Sequence, residues 1–112
     1  MIEPFTENIV VYKNVDFCQC VDFYQDQEEM DLTEYEFRIK FLDNTGTELL
    51  SETGVIDLEK GHRVWFSLTQ AELSTLPDIG ATWYLLYKNP NSCIGLICYG
   101  KVKTKGGALW GV

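Results

Sequence analysis

The stretch YEFRIKFLDNTGTELLSE, residues 35–52, sets the period of the whole chain. Tyr35, Phe37, Ile39 and Phe41 alternate with charged residues, which is typical of a β-strand with one face in the core and one in water. The sequence DNTG, residues 43–46, then supplies Asp and Asn to bond the local backbone and Gly for a positive φ, so it predicts a hairpin turn. The charged side chains of this stretch are therefore interpreted as the wet face of a strand and not as a site.

The same period of two continues on both sides of this hairpin. In HRVWFSL, residues 62–68, it assigns Val64, Phe66 and Leu68 to the core and leaves Trp65 on the opposite face. The one helical signal is a capping box, Thr69 with Glu72 three positions later, in a segment that ends before Pro77. The sequence predicts an all-β fold, an antiparallel sandwich or barrel of about seven to nine short strands with one short helical turn.

Length and composition predict one domain. The 112 residues are 46% apolar, enough for a core without disulfides or metal. We divide the chain into an N-terminal arm (1–7), a sandwich (8–105) and a C-terminal tail (106–112) that places Leu109 and Trp110 behind two glycines. This tail either folds back onto its own sandwich or anchors in a neighbouring subunit, where Trp is a favoured contact residue.

The net charge of −8 is unevenly distributed along the chain. Residues 1–59 hold fifteen acids and three bases (−12), and residues 60–112 hold two acids and six bases (+4). An acidic surface repels phosphate, so no nucleic-acid partner is expected. The basic cluster KVKTK, residues 101–105, places three lysines on one strand face, which is typical of a solvated or edge-protecting strand.

The sequence gives no reason to expect a membrane or secretory route. No basic segment with a following apolar run opens the chain, and no apolar stretch reaches the roughly 18 residues that a span requires. We therefore expect a protein made in the cytosol, with its cysteines reduced.

Residues that usually carry chemistry are scarce. The single histidine, His62, is expected to be an exposed strand-end residue, and no nucleotide-binding or zinc-hydrolase motif occurs. Cys18 and Cys20 are two apart and Cys93 and Cys98 five apart, spacings that suit a zinc knuckle poorly, so we expect small buried residues. The sequence predicts no cofactor, no metal and no enzymatic activity.

One family resemblance covers residues 13–104. The segments KNVDFCQCVDFYQDQEEMDLTEYEFRIKF (13–41), GTELLSE (46–52), VWFSLTQAELSTLP (64–77) and GATWYLLYKNPNSCIGLICYGKVKT (80–104) together resemble immunoglobulin-like β-sandwich modules of tailed bacteriophages, similar to the N-terminal domain of baseplate upper proteins. Glu34 stands where that family often has glycine. The resemblance implies an immunoglobulin-like sandwich without catalytic residues.

The resemblance also implies a function. A free-standing copy of such a module is expected to be a virion protein, assembled in the host cytoplasm as a capsid decoration or cement protein. A tail, baseplate or head-fibre connector is the alternative. Its partners would be the major capsid protein, other virion proteins and copies of itself, as a homo-oligomer. The candidate partner-binding residues are Phe5, Trp65, Leu109 and Trp110.

A different class of function remains open. Sandwiches with exposed aromatic residues also bind glycans or peptides, and Trp65, Trp83 and Tyr99 are the candidate stacking platform for such a role. Loss of glycan binding in Trp65→Ala would distinguish this hypothesis from the first.

Overall fold

A computed structural model describes residues 4–13 and 15–105. These residues form eleven strands and one helix: β1 (Phe5–Thr6), β2 (Ile9–Tyr12), β3 (Phe17–Asp22), β4 (Tyr24–Gln25), β5 (Glu28–Glu29), β6 (Glu36–Leu42), β7 (Glu48–Thr53), β8 (Val55–Ile56), β9 (Arg63–Leu68), α1 (Gln70–Leu73), β10 (Ala81–Lys88) and β11 (Ile94–Lys105). The count exceeds the predicted seven to nine because β1, β4, β5 and β8 are pieces of two residues each.

Six strands make up what we call the large sheet. Its order is β1-β11-β10-β6-β7, and β2 also pairs with β11 beyond β1. The hairpin partners β6 and β7 are antiparallel, as the turn at Asp43–Gly46 predicts, whereas β1 and β2 run parallel to β11. Phe5 and Thr6 are thus part of the sandwich, although segment 1–7 was predicted to be a separate arm.

The small sheet has the order β3-β9-β8 and is antiparallel throughout. Its strands take the places of B, E and D in an immunoglobulin domain, while β7, β6, β10 and β11 take those of C′, C, F and G. The protein is therefore an all-β, immunoglobulin-like sandwich. Among residues 4–13 and 15–105, no strand pairs with the second edge of β3, which is the place of strand A.

The core lies between the two sheets. Phe37, Ile39 and Phe41 of β6 are buried, as their period predicts, and they face the buried Val64, Phe66 and Leu68 of β9. The short helix closes one end: Thr69 and Glu72 form both bonds of the predicted capping box, and Leu73 and Leu76 are buried beneath them. Within the part of the chain described, no helix is long and apolar enough to cross a bilayer.

A hairpin with a two-residue loop, rich in acidic residues, lies between the small sheet and the large sheet along the chain. β4 and β5 are joined by Asp26 and Gln27. Both residues have a positive φ, as the two central residues of a type I′ turn do. Glu34 also has a positive φ of 67°. A glycine would adopt that conformation without strain, so the glutamate is tolerated at this position at some cost.

Candidate binding surfaces

The outer face of the large sheet carries aromatic and basic side chains together. Tyr84 of β10 and Tyr99 of β11 are register partners whose rings stack with centroids 6.3 Å apart and planes 15° apart. Lys101, Lys103 and Lys105 continue along β11 on the same side, because Val102 and Thr104 between them are buried. We call these five residues the lysine–tyrosine face.

The lysines of this face are available to a partner. Within residues 4–13 and 15–105, Lys101, Lys103 and Lys105 form no ion pair, whereas Lys40 and Lys88 of the same sheet pair with Glu48 and Glu36. The lysine–tyrosine face also borders a shallow pocket of about 570 Å³. Ile79, which is 82% exposed, and the exposed Val10 line that pocket, so apolar groups lie beside the cations.

A second feature is an apolar cleft of about 620 Å³ between the two sheets. Its floor is formed by core residues, including Ile39, Phe66 and Trp83, and Phe5 stands at its rim with 52% of its surface exposed. Gln19 of β3 pairs with Phe66 and so faces inward, yet it is exposed. Its exposure marks the side on which the sandwich is open.

The rim of this cleft is fixed by a contact between three residues. Trp83 lies buried and donates its Nε1–H to the carbonyl oxygen of Glu7 at 2.7 Å. That carbonyl lies against Gly100, where an added Cβ would overlap it. Trp83 therefore has a structural role, and the predicted platform of Trp65, Trp83 and Tyr99 is wrong, because Trp83 is inside the sandwich.

Trp65 is half-buried on the outer face of the small sheet, as predicted. Its Nε1–H donates to Asp57 Oδ2 at 3.0 Å, and the guanidinium of Arg63 lies 6.0 Å from the ring centroid. Arg63 in turn holds Asp22 through two hydrogen bonds of 2.7 and 2.9 Å. Trp65 does not line the cleft where Phe5 lies, so the structure does not bring these two predicted contact residues together. Leu109 and Trp110 lie outside the described residues.

Hydrogen bonds hold the acids of this face in the charged form. The backbone N–H of Lys60 and the indole N–H of Trp65 lower the pKa of Asp57 to about 2. The Arg63 guanidinium lowers the pKa of Asp22 and is itself held protonated, since its own pKa is raised by the same contact. These groups are fixed charges at neutral pH and are unsuited to proton transfer.

His62 is only 6% exposed, so the prediction of an exposed strand-end residue is wrong. The β4–β5 hairpin covers it: Glu29 Oε2 lies 3.1 Å from Nδ1 and Tyr24 Oη lies 3.5 Å from Nε2. Nδ1 has no well-aligned hydrogen bond among the described residues, despite that short distance. Tyr24 is 38 residues from His62 in the sequence, and a contact between residues so far apart does not show in the alternation of a single strand, so no local signal marked this histidine.

None of the four cysteines forms a disulfide. Cys18, Cys20 and Cys93 are exposed, against the expectation of small buried residues, and only Cys98 is buried. Burial, with a smaller contribution from Glu7, raises the pKa of the Cys98 thiol to about 11. Across residues 4–13 and 15–105, no group of three or more His, Cys, Asp or Glu side chains is arranged to hold a metal ion.

Two carboxyl groups do lie together, on β7 and at α1. Glu52 and Glu72 share a hydrogen bond that raises the pKa of Glu52 and lowers that of Glu72, whose carboxylate also accepts from the backbone of Thr69. Glu72 is thus already committed to capping the helix, and we assign the pair no catalytic role.

Comparison with known proteins adds no family. No family model matches the chain, and no curated protein matches it. Solved structures that match include the immunoglobulin-like domain of mouse leukocyte-associated immunoglobulin-like receptor 1, in a strand-swapped dimer (9% identity, 88% of each chain, TM-score 0.45), and CopC from Methylosinus trichosporium OB3b (12%, 64% of this chain and 66% of that one, TM-score 0.41). Murine CRIg also matches (13%, 88% and 92%, TM-score 0.36). With TM-scores below 0.5, these likenesses carry no argument about function, and the fold is defined by this chain's own strand order.

Proposed function

We propose that this chain is a structural protein of a bacteriophage particle, a capsid decoration protein that binds the capsid lattice and catalyses no reaction. The sequence resemblance over residues 13–104 suggests the phage setting. The observation that carries a binding role is the lysine–tyrosine face, an exposed surface whose chemistry differs from the rest of an acidic molecule.

The chemistry of this face favours an acidic protein surface as its partner. Three exposed lysines without ion pairs among the described residues attract carboxylates, and the stacked tyrosines supply rigid apolar area of the kind that dominates protein interfaces. The pocket beside Ile79 adds a place for an apolar side chain. The partner would be the major capsid protein or another virion protein, and neighbouring copies could form a homo-oligomer.

Phe5 and Trp65 would then contact neighbours other than the protein that binds the lysine–tyrosine face. Phe5 stands at the cleft rim and Trp65 on the outer face of the small sheet, so each would meet a different neighbour.

The test of the phage role is the copy number of the protein in purified particles of its parent phage, by quantitative mass spectrometry against the major capsid protein. Hundreds of copies that follow the lattice would support decoration. A small multiple of three or six would move the protein to the tail, baseplate or a head fibre. Absence from the particle would overturn the virion role.

The test of the binding face uses a matched pair of charge reversals. Lys103→Glu lies in the lysine–tyrosine face, and Lys60→Glu makes the same charge change at an exposed lysine outside it. In re-addition of purified protein to depleted particles, we expect only Lys103→Glu to lose occupancy. Equal loss in both variants would contradict a role for this face.

A glycan-binding module is the second candidate, because the exposed Tyr99 stacks on the half-buried Tyr84 at the surface of the large sheet. Binding on a glycan array that is lost in Tyr99→Ala, combined with absence from particles, would favour it.

A further inference from the structure

We propose that this protein associates with copies of itself head to tail, with the acidic β4–β5 hairpin of one copy bound to the lysine–tyrosine face of the next. This contact rests on the proposed function in that it uses the same face, and it names a second copy as a partner of that face. It requires no phage particle. The observations that carry it are the charge of the hairpin, the chemistry of the face and the positions of both at opposite ends of the sandwich.

The β4–β5 hairpin is strongly acidic. Residues 26–34 hold five acids and neither Lys nor Arg. Asp26 at the turn is exposed, and so are Glu28 and Glu29 of β5. Tyr24 of β4, with 56% of its surface exposed, adds an aromatic ring to the same hairpin. The hairpin therefore presents carboxylates beside an apolar group.

Contacts with the sandwich hold this hairpin in one conformation. The backbone N–H of Met30 donates to the carbonyl of Phe23 at 3.1 Å, and the N–H of Phe23 donates to the carbonyl of His62 at 2.8 Å. Phe23 is itself buried, and the ring centroid of Tyr24 lies 5.3 Å from that of His62. Because a preformed element loses little conformational freedom on binding, the hairpin is suited to be bound as a unit.

The lysine–tyrosine face has the opposite charge and a receiving shape. Residues 101–105 hold three lysines and no acid. Lys101 and Lys103 line the pocket of about 570 Å³ together with the exposed Ile79. This pocket offers a place for the ring of Tyr24 from a second copy while the lysines meet the carboxylates of its hairpin. Opposite charges arranged in this way favour association and fix its orientation.

The hairpin and the face lie at opposite ends of the sandwich. Lys101 pairs with Thr82 near the start of β10, whereas Lys88 at the end of β10 pairs with Glu36, which follows the hairpin in the chain. At about 3.3 Å per residue, β10 alone separates these ends by roughly 23 Å. The docked hairpin of one copy therefore meets the lysines of another copy. Because the contact joins two different surfaces, each copy can bind one neighbour at each end.

The net charge of −8 opposes association between copies. This repulsion acts between whole molecules, whereas the contact brings carboxylates and ammonium groups together directly. At 0.1 M salt the Debye length is about 10 Å, which is shorter than the separation of the two ends, so the local charges should prevail. Asp78, the acid next to Ile79, is paired with Lys13 at 3.2 Å and adds little repulsion.

The experiment uses the full chain and two charge reversals, Glu28→Lys in the hairpin and Lys103→Glu in the face. In sedimentation velocity at about 0.1 M salt, the natural protein should associate as its concentration rises, and 1 M salt should reverse this. Each reversal alone should raise the dissociation constant roughly tenfold or more, because like charges then face each other. Glu59→Lys makes the same charge change at an exposed acid outside the hairpin, and this control should associate as the natural protein does.

An equimolar mixture of the two reversals separates this contact from other kinds of association. The Glu28→Lys copy keeps its lysines and the Lys103→Glu copy keeps its acidic hairpin, so the mixture should associate where neither variant does alone. Restored association would also show that both variants are folded. A mixture that stays monomeric, or a Glu28→Lys variant that associates as well as the natural protein, would overturn the head-to-tail contact.

Glu28→Lys also distinguishes this contact from the proposed function. The variant keeps the lysine–tyrosine face, so it should reach the occupancy of the natural protein on depleted particles. If the natural protein stays monomeric while Lys103→Glu loses occupancy on particles, the head-to-tail contact is overturned and the proposed function stands. If the mixture associates but the natural protein does not bind particles, the head-to-tail contact stands and the proposed function fails.

Discussion

Gly100 lies where any side chain would overlap the backbone of a neighbouring strand segment. The Glu7 carbonyl occupies the space of a Cβ at this position, and Trp83 fixes that carbonyl by a hydrogen bond. Gly100→Ala must therefore push the β1–β2 edge away from β11, and overpacking of this kind costs about 1–3 kcal/mol. Urea unfolding followed by circular dichroism measures the loss. Gly61→Ala, where nothing lies within 4 Å of the added methyl group, is the control and should be close to neutral. Similar losses in both would contradict the steric account.

Asp57 makes a prediction about pH. Its pKa falls from 3.8 to about 2 on folding, so the charged form is favoured in the native state. A depressed folded pKa stabilises the protein above the unfolded pKa, and that contribution is lost as the pH falls through the folded value. Asp57→Asn should therefore melt at a lower temperature than the natural protein at pH 7, and the difference should shrink between pH 4 and about pH 2. A difference that is constant over this range would show that the charge of Asp57 is not its cause.

Among the elements, α1 depends most on a single side chain. Four residues cannot form a stable helix alone, and here Thr69 Oγ1 accepts the backbone N–H of Glu72 while the buried Leu73 anchors the turn. Thr69→Ala should cost about 1 kcal/mol of unfolding free energy, the usual effect of losing such a cap. Chemical denaturation measures it. Gln70→Ala, at an exposed side chain next to the cap, is the matched control, and an equal loss there would argue against capping.

Elements with a local cause could be predicted from the sequence, and those set by distant contacts could not. The faces of β6 and β9 follow from Phe37, Phe41, Val64 and Phe66, because burial alternates along any strand whose one side meets the core. The capping box is likewise local. The burial of His62 was not predictable, because it depends on how the β4–β5 hairpin folds over β9.

The candidate surfaces were predictable in part. The shared face of Lys101, Lys103 and Lys105 follows from alternation, and so does the outward side of Trp65. The pairing of Tyr84 with Tyr99, the open side beside β3 and the inward position of Trp83 depend on strand order and register. A single sequence does not encode strand order in any local pattern, so these features became visible only in the fold.

At the scale of the whole molecule, the charge distribution predicts whether added salt strengthens or weakens attachment to the capsid. With a net charge of −8, the protein as a whole is repelled by an acidic capsid, and salt would then strengthen attachment. The lysine–tyrosine face, in contrast, is attracted to an acidic surface, and salt would weaken that attraction. Salt screens distant charges more strongly than charges in contact, because the Debye length is about 10 Å at 0.1 M and 3 Å at 1 M salt. The contacts of the lysine–tyrosine face should therefore outweigh the effect of the net charge. We therefore expect occupancy in a co-sedimentation assay to fall as NaCl rises over this range. A rise would indicate that net charge governs binding.

Because Cys98 is buried, the rate at which its thiol reacts with a reagent measures how often the sandwich opens. Cys18, Cys20 and Cys93 are exposed and should react with a thiol reagent at once, whereas Cys98 is buried, with its pKa raised to about 11, and is almost entirely in the unreactive thiol form at neutral pH. Three equivalents of label should therefore enter quickly and the fourth slowly, as counted by intact-mass spectrometry. Because Cys98 lies in the wall of the cleft, the rate of that fourth reaction reports how often the two sheets part, without any engineered probe.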